Sequence, residues 1–204
     1  MLIKEAKIIT GSLSMPGKLP CKSFSISPAN CITGQKLSKI KNSVCHNCYA
    51  KKGNYKRYAT TMEKAWDKRE TGLKNKLWAV AISDQIKKDS FFRWHDSGDL
   101  QSVSHLRAIA AVCRNTPNTL HWLPTREYKI IKEYLIKHKI PSNLIIRYSA
   151  HMVGQTVKAP PGVYSSSVNS GVGFRCKAPS QGNKCLDCRA CWNKSYNNID
   201  YKKH

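Results

Sequence analysis

The middle of the chain repeats one pattern, in which a short apolar strand runs into a polar loop and then into an amphipathic helix. Strands are predicted at 91–94, 119–124, 143–148 and 162–168, and helices at 102–114 and 128–138. A unit that recurs about every 26 residues predicts βαβ connections and a mostly parallel sheet. A chain of 204 residues is too short for eight such units. We therefore expect an α/β fold with an open or partial βα barrel.

The flanking segments are predicted to complete a single domain over 1–204. The first segment, 1–59, is rich in Lys, Ser, Gly and Pro and is interpreted as a strand or two with ordered loops that wrap the main body. The βα core covers 60–170 and begins with two helices separated near Gly72. The last segment, 171–204, is a cysteine-rich tail that we expect to bind metal and to cover one face of the sheet.

Polar side chains follow the first predicted strand directly: His95, Asp96, Ser97 and Asp99. Ligands of parallel sheets bind at the carboxyl ends of the strands, so these four residues are candidate catalytic groups. His95 would act as an acid or base, or Ser97 as a histidine-activated nucleophile in ester hydrolysis, although the G-x-S-x-G elbow is absent. The alternatives are helix capping by Asp96 and Ser97 and a buried core histidine.

The next two strand ends add candidate binding groups. Arg126 joins the candidate catalytic set, because a guanidinium suits a carboxylate or a phosphate. Thr125, Arg147 and Ser149 are candidate substrate-binding residues for a polar small molecule. Either arginine could instead form a structural ion pair with a nearby carboxylate.

The tail contains a C-x8-C-x2-C-x2-C array, formed by Cys176, Cys185, Cys188 and Cys191. Two-residue gaps let neighbouring thiolates converge on one metal centre, so the array is typical of a [4Fe–4S] cluster, with zinc as the alternative. Disulfides or buried thiols are the other possibilities. The total of nine cysteines is odd, and we expect a reducing cytoplasm for a chain without an apolar leader or a bilayer-length apolar run. Both points favour metal.

A second cysteine pair lies nearer the N-terminus. Cys45 and Cys48 flank His46 in the sequence CHNC, a spacing that suits metal chelation. A helix-capping turn with buried thiols would give the same pattern. If the pair binds metal, it supplies ligands either to the site of the tail or to a second site.

The charge of the chain favours an anionic partner. The sequence has 35 Lys and Arg against 12 Asp and Glu, which leaves a net charge of +23. Such a field attracts polyanions, and the basic residues interleaved with tyrosines at 36–58 could bind a single nucleic-acid strand by charge and stacking. No base-reading motif accompanies them, and a solvating surface of scattered lysines would have the same composition.

Three stretches resemble the phage Gene product 88 family: PANCITGQKLSKIKNSVCHNCYAKKGNY, FRWHDSGDLQ and KAPSQGNKCLDCRACW. The resemblance runs over about 18–192 and implies a bacteriophage origin, a compact α/β domain and an iron–sulfur cluster. It makes Cys31, Cys45 and Cys48 motif positions, and hence secondary candidate ligands. Cys21 stands where a small residue is expected and is not counted as a ligand.

The family in turn resembles the radical-SAM-like barrels, which pair a partial βα barrel with a [4Fe–4S] cluster. The C-x3-C-x2-C motif of those enzymes is absent from this sequence. A cluster with one free iron needs three thiolates, whereas the tail offers four. Ordinary radical SAM chemistry is therefore not expected.

Two functions follow as expectations. The leading one is a phage-encoded iron–sulfur protein of the host cytoplasm, with a polar pocket beside a [4Fe–4S] cluster. An enzyme is favoured over a protein without catalytic activity. Its reaction would be either a redox step, as in an oxidoreductase, or an esterase-like hydrolysis. The alternative is a nucleic-acid-binding module that is stapled by metal and has no catalytic activity. Neither function involves a membrane.

Overall fold

A computed structural model describes residues 1–203 and contains one seven-stranded sheet. The strands are β1 Lys22–Phe24, β2 Phe91–Trp94, β3 Leu120–Thr125, β4 Leu144–Ser149, β5 Tyr164–Val168, β6 Phe174–Arg175 and β7 Asn198–Tyr201. Their order in the sheet is β1-β2-β3-β4-β5-β7-β6, and every neighbouring pair is parallel. The predicted α/β fold with a mostly parallel sheet is confirmed.

Helices connect the strands, and several of them cover one face of the sheet. They are α1 Ile3–Thr10, α2 Ile32–Ser38, α3 Gly53–Arg57, α4 Ala59–Gly72, α5 Trp78–Ile86, α6 Val103–Asn115 and α7 Tyr128–Lys137. The predicted break near Gly72 is present, because α4 ends at that residue. Within residues 1–203, no helix combines the length and the apolar character that crossing a bilayer requires.

The helix-covered face of the sheet carries the main hydrophobic core. Phe92 and Trp94 of β2, Leu123 of β3 and Ile146 of β4 are completely buried there. They pack against apolar side chains of α5, α6 and α7, for example Leu106. Because side chains alternate along a strand, the intervening residues must point to the opposite face.

The opposite face is covered by the tail, and we call it the tail-covered face. Cys21, Trp122 and Trp192 form a second buried cluster on it. The Trp192 indole donates a hydrogen bond of 2.9 Å to the carbonyl of Phe92, and its ring lies 5.5 Å from that of Phe91, edge to face. The tail therefore covers one face, as expected. It also contributes β6 and β7 to the sheet, which the sequence pattern did not indicate.

Arg147 of β4 fastens the tail to the sheet. It is completely buried, and its five N–H groups have acceptors at 2.8 to 3.3 Å. The acceptors are the backbone carbonyls of Ser165, Ala190, Cys191, Asn193 and Tyr196. The expectation that Arg147 binds a substrate is therefore not met, because no N–H group remains for a ligand.

Candidate metal centres

Residues 31–50, which we call the crossing segment, lie across the carboxyl ends of the central strands. The backbone N–H of Val44 donates to the carbonyl of His151, just beyond β4, at 2.9 Å. Nearer to β3, Glu127 accepts from both the backbone N–H and the hydroxyl of Thr33, at 2.8 and 2.7 Å. These contacts hold the crossing segment against the edge where parallel sheets usually bind ligands.

The crossing segment brings Cys31, Cys45 and Cys48 together, and we call them the strand-end thiols. All three are partly buried. A Cβ atom added at Gly34 would lie 3.5 Å from the Cys31 sulfur and 3.8 Å from the Cys45 sulfur, so both sulfurs border one point. Burial raises the pKa of the Cys31 thiol, and negative charge at Asp99 and then at Cys48 adds to the shift.

Asp99 and Arg126 lie beside these thiols. The Asp99 carboxylate accepts hydrogen bonds from the Thr125 hydroxyl at 2.6 Å and from the Arg126 backbone N–H at 2.9 Å. Burial raises the pKa of Asp99 to about 6, although these hydrogen bonds oppose the shift. Burial likewise raises the pKa of Cys45, against the opposing effect of the Arg126 guanidinium. The structure thus places Asp99, Thr125 and Arg126 next to the strand-end thiols.

Ser97 and Gly98 are packed against the chain that follows β1. The Ser97 hydroxyl donates to the carbonyl of Ile26 at 3.0 Å, and the Ser97 carbonyl accepts from the Ile26 N–H at 3.2 Å. Gly98 has φ +76°, and an added Cβ would lie 2.3 Å from Ile26. Ser97 is therefore a buried structural hydroxyl, and no histidine accepts its proton within residues 1–203.

His95 turns into the helix-covered core. Its backbone has φ +53°, in the left-handed region, and its ring lies 5.3 Å from the ring of His105 on α6, edge to face. Burial, with the nearby His105, lowers the pKa of His95 well below its ordinary value. Within residues 1–203, neither ring nitrogen has a hydrogen-bond partner. The His95 side chain thus points away from the other candidate catalytic residues.

Asp96 faces tyrosines of the N-terminal segment. The Tyr55 hydroxyl donates to the Asp96 carboxylate at 3.1 Å, and the Tyr49 hydroxyl donates to the Asp96 backbone carbonyl. Ser149, the last candidate from the strand ends, is buried and accepts a hydrogen bond of 3.2 Å from the Ser166 hydroxyl. Both residues have protein partners within the described chain.

Cys176, Cys185, Cys188 and Cys191, the tail thiols, gather at a separate place on the tail-covered face. Cys176 directly follows β6, and its N–H donates to the carbonyl of Asp200 in β7 at 2.8 Å. The N–H of Cys188 donates to the carbonyl of Cys185 at 2.9 Å, which closes the turn between them. Burial raises the pKa of Cys185, and negative charge at Cys176 adds to the shift.

Aromatic and cationic side chains surround the tail thiols. The Arg93 guanidinium lies 4.6 Å from the ring centre of Trp122, and Arg189 lies 5.2 Å from that of Phe91. Burial raises the pKa of Cys191 to about 12, against the hydrogen bond with the Tyr201 hydroxyl at 3.2 Å.

Cys21 is a buried neighbour of this group. Burial raises the pKa of Cys21 to about 12, which the Arg93 charge opposes and the Cys185 charge increases. All nine cysteines of the chain are free thiols, so the disulfide alternative is not realised. Among residues 1–203, no three His, Cys, Asp or Glu side chains converge tightly enough to hold a single metal ion. A [4Fe–4S] cluster is wider than an ion and spaces its thiolates further apart.

Two residues at these sites were not singled out from the sequence. Arg93 lies in the predicted strand at 91–94, and its place between Phe92 and Trp94 in an alternating strand puts it on the opposite face. Glu127 directly follows Arg126, and its bonds to Thr33 depend on the crossing segment. Pairing across 94 residues leaves no local signal.

Comparison with known proteins identifies a family for this chain. The model of the Gene product 88 family matches residues 1–194. No curated protein and no solved structure matches the chain. The match covers both groups of thiols and the whole of the strand-end region, in agreement with the resemblance of the three motif stretches. The chain belongs to the Gene product 88 family.

Proposed function

We propose that this chain is a redox iron–sulfur protein in which the four tail thiols bind one [4Fe–4S] cluster on the tail-covered face. The observation that carries the proposal is the meeting of Cys176, Cys185, Cys188 and Cys191 in one turn system beside arginine side chains. When bound, such a cluster supplies one-electron transfer. The reduced thiols that it needs are kept as ligands in a cytoplasm.

The charges around the tail thiols suit a cluster. Four thiolates give a [4Fe–4S] centre a net negative charge, and burying that charge is costly without nearby cations. Arg93 lies close enough to lower the pKa values of Cys21, Cys185 and Cys191. Arg147 has the same effect on Cys191. These arginines hold positive charge at the site before any cluster is present.

The strand-end thiols are connected to the tail site through the sheet. Arg93 lies beside the tail thiols, and one of its terminal nitrogens lies 3.4 Å from the Tyr49 hydroxyl. Tyr49 follows Cys48 in the chain and donates to the carbonyl of Asp96. Arg93, which is partly buried, would therefore lie between a substrate bound at the strand ends and the cluster proposed for the tail.

The geometry favours a redox reaction over ester hydrolysis. A serine nucleophile needs a base within hydrogen-bond reach, whereas the Ser97 hydroxyl donates to the carbonyl of Ile26. We expect Ser97→Ala protein to keep its full turnover in any assay in which the native chain is active. Loss of chromogenic-ester turnover, with the visible absorbance unchanged, would restore the hydrolase hypothesis.

The test is the metal content of protein purified without oxygen. The native chain should contain iron and acid-labile sulfide with a broad band near about 400 nm, and Cys185→Ser and Cys188→Ser should each lose about four irons. Cys113→Ala is the matched control, because this thiol is fully buried on α6 in the helix-covered core. Zinc without colour, or iron unaffected by the two tail variants, would contradict the proposal.

A second candidate function, single-stranded nucleic-acid binding, has one supporting observation. Tyr58 is 56% exposed and directly follows the short helix α3, whose Lys56 and Arg57 are also exposed. An exposed ring among unpaired cations suits stacking on a base. Affinity that falls steeply between about 50 and 200 mM salt would support this function. Affinity independent of salt, or unchanged in Tyr58→Ala, would exclude it.

A further inference from the structure

The strand-end thiols have a different chemical environment from the tail thiols. There are three of them, and the carboxylates of Asp99 and Glu127 contribute to the raised pKa values of Cys31 and Cys45. Gly34 packs closely against this group, because a Cβ added there would lie 2.7 Å from Cys31 Cβ and within 4 Å of the Cys31 and Cys45 sulfurs. The thiols therefore lie close together at the edge of the sheet where ligands of parallel sheets bind.

Nε of Arg126 and Nε2 of His151 are buried polar atoms at this edge that have no hydrogen-bond partner within residues 1–203. Buried polar atoms without partners are costly, so each needs an explanation. The His151 ring is fixed by stacking on Tyr128 at 4.6 Å, with planes 10° apart. Arg126 is held through its backbone N–H, which donates to Asp99, while its guanidinium forms no ion pair in the described chain.

From these observations we propose that Cys31, Cys45 and Cys48 bind a second [4Fe–4S] cluster, whose fourth iron takes a small carboxylate ligand held by Arg126. Three thiolates can occupy only three of the four irons, since each iron has one terminal ligand position. A guanidinium with an unpartnered N–H is the group that best recognises a carboxylate. The ligand carries a hydroxyl or amino group beside its carboxylate, so that two donors chelate the iron.

This site is independent of the cluster proposed for the tail. The two groups of cysteines share no residue, and Arg93 and Tyr49 lie between them. Iron content distinguishes the two assignments. Native protein should hold about eight irons per chain, and the Cys31→Ser, Cys45→Ser, Cys48→Ser triple variant should hold about four.

The same iron measurements distinguish failure of the tail-cluster proposal from failure of the strand-end-cluster proposal. About four irons in the native chain, retained in the triple variant, would overturn the second cluster and leave the tail cluster intact. A different result would contradict only the tail assignment. In that result the triple variant contains about four irons fewer than the native chain, whereas Cys185→Ser contains as many irons as the native chain. Cys113→Ala should match the native chain in both measurements, and its far-ultraviolet circular dichroism serves as the folding control.

The open iron position is tested with ¹³C-cyanide, a probe that binds iron directly. Reduced native protein should show ¹³C hyperfine coupling by electron–nuclear double resonance, and so should Cys185→Ser, in which only the strand-end site remains. The triple variant should show none. Absence of coupling in the native chain would overturn the open position. Coupling that appears only in His151→Ala would also overturn it, because His151 would then be the fourth ligand.

The carboxylate is tested with citrate, using tricarballylate as the matched probe that lacks the hydroxyl group. Citrate should shift the electron paramagnetic resonance spectrum of the reduced Cys185→Ser protein, and tricarballylate should bind at least tenfold more weakly. Arg126→Gln should weaken citrate binding at least tenfold while retaining the cyanide coupling. Equal binding of the two probes, or unchanged citrate affinity in Arg126→Gln, would contradict the proposed ligand class.

Discussion

The two groups of thiols lie on the same sheet but in opposite surroundings. Aromatic rings and arginines surround the tail thiols, including the partly buried Arg93 over Trp122 and the fully bonded Arg147. The strand-end thiols lie beside carboxylates and next to Arg126, whose Nε has no partner in the described chain. The first environment suits the negative charge of the cluster proposed for the tail. The second leaves unused hydrogen-bonding capacity at the edge where parallel sheets bind ligands.

This difference indicates a division of roles. Every N–H group of Arg147 has a backbone acceptor, four of them in the tail and one at Ser165 of β5, so this arginine offers no donor to a small molecule. At the strand ends, the buried Nε of Arg126 has no hydrogen-bond partner in the described chain. If both proposals hold, electron storage belongs to the tail site and ligand binding to the strand-end site.

The largest effect is expected from removing the arginine that fastens the tail. Arg147→Met removes five hydrogen bonds to backbone carbonyls and should lower the free energy of unfolding by about 3–5 kcal/mol. Urea titration measures this change. Iron should be lost from the tail site first, so the remaining iron should still respond to cyanide. Equal loss of iron from both sites would mean that the two regions are not separate.

A single methyl group should affect only the strand-end site. In Gly34→Ala the new Cβ would lie 2.7 Å from Cys31 Cβ, so α2 must shift and the strand-end iron should fall. The substitution is otherwise favourable in a helix by about 1 kcal/mol. Gly17→Ala is the matched control, since nothing lies within 4 Å of an added Cβ there. Metal analysis checks both variants, and equal iron in the two would mean that the strand-end thiols hold no cluster.

A smaller effect should follow from loosening the crossing segment. Glu127→Gln replaces a carboxylate that accepts two hydrogen bonds from Thr33 and should cost about 1–2 kcal/mol, with weaker retention of the strand-end iron on dialysis. Glu133→Gln is the control, because its 3.8 Å pair with Lys129 is exposed and should contribute almost nothing. Tail iron should be unchanged in both variants; its loss in Glu127→Gln would link the two sites.

The smallest effect is a loss of stability in acid that arises in the helix-covered core. Burial lowers the pKa of His121 to about 3 and that of His105 to about 4, so both are neutral when folded. Unfolded histidine titrates near about 6.5, so the stability that they contribute is present above that pH and is lost as the pH falls below it. Each should contribute a slope of about 1 kcal/mol per pH unit.

His121→Phe tests this origin in metal-free protein. Between about pH 6.5 and pH 5, the unfolding free energy of the variant should depend less steeply on pH than that of the native chain. The difference in slope should correspond to about one proton fewer taken up on unfolding. The slope is the measurement, because the loss of the 2.9 Å contact with Thr116 changes the absolute stability as well. An unchanged slope would mean that other groups cause the acid sensitivity.

The sheet was predictable because its signal is local. The strand predicted at 91–94 is β2 Phe91–Trp94, and the helix predicted at 128–138 is α7 Tyr128–Lys137. Each element buries one face, so periodicity of apolar residues records it. The N-terminal segment was harder to predict: it contains one strand, as allowed, and also three helices that were not expected. Two of them, α2 and α3, are short and have few buried residues, so their apolar periodicity is weak.

The composition of the candidate sites was only partly predictable. Spacing drew attention to the tail cysteines and to Asp99, which follow recognisable patterns. The adjacency of Cys31 to Cys45 and to Asp99 depends on contacts between Thr33 and Glu127 that are 94 positions apart. The sequence pattern also did not indicate the direction in which a loop side chain points. His95 points into the core and Asp99 to the thiols, although only three residues separate them.

The most direct test of the account is the iron and acid-labile sulfide content of the Cys31→Ser, Cys45→Ser, Cys48→Ser triple variant, purified without oxygen. In this chain the tail thiols are the remaining group, so any cluster must be theirs. About four irons and about four sulfides per chain, with a broad band near about 400 nm, are predicted. A folded variant that contains neither iron nor sulfide would contradict the assignment of a [4Fe–4S] cluster to the tail.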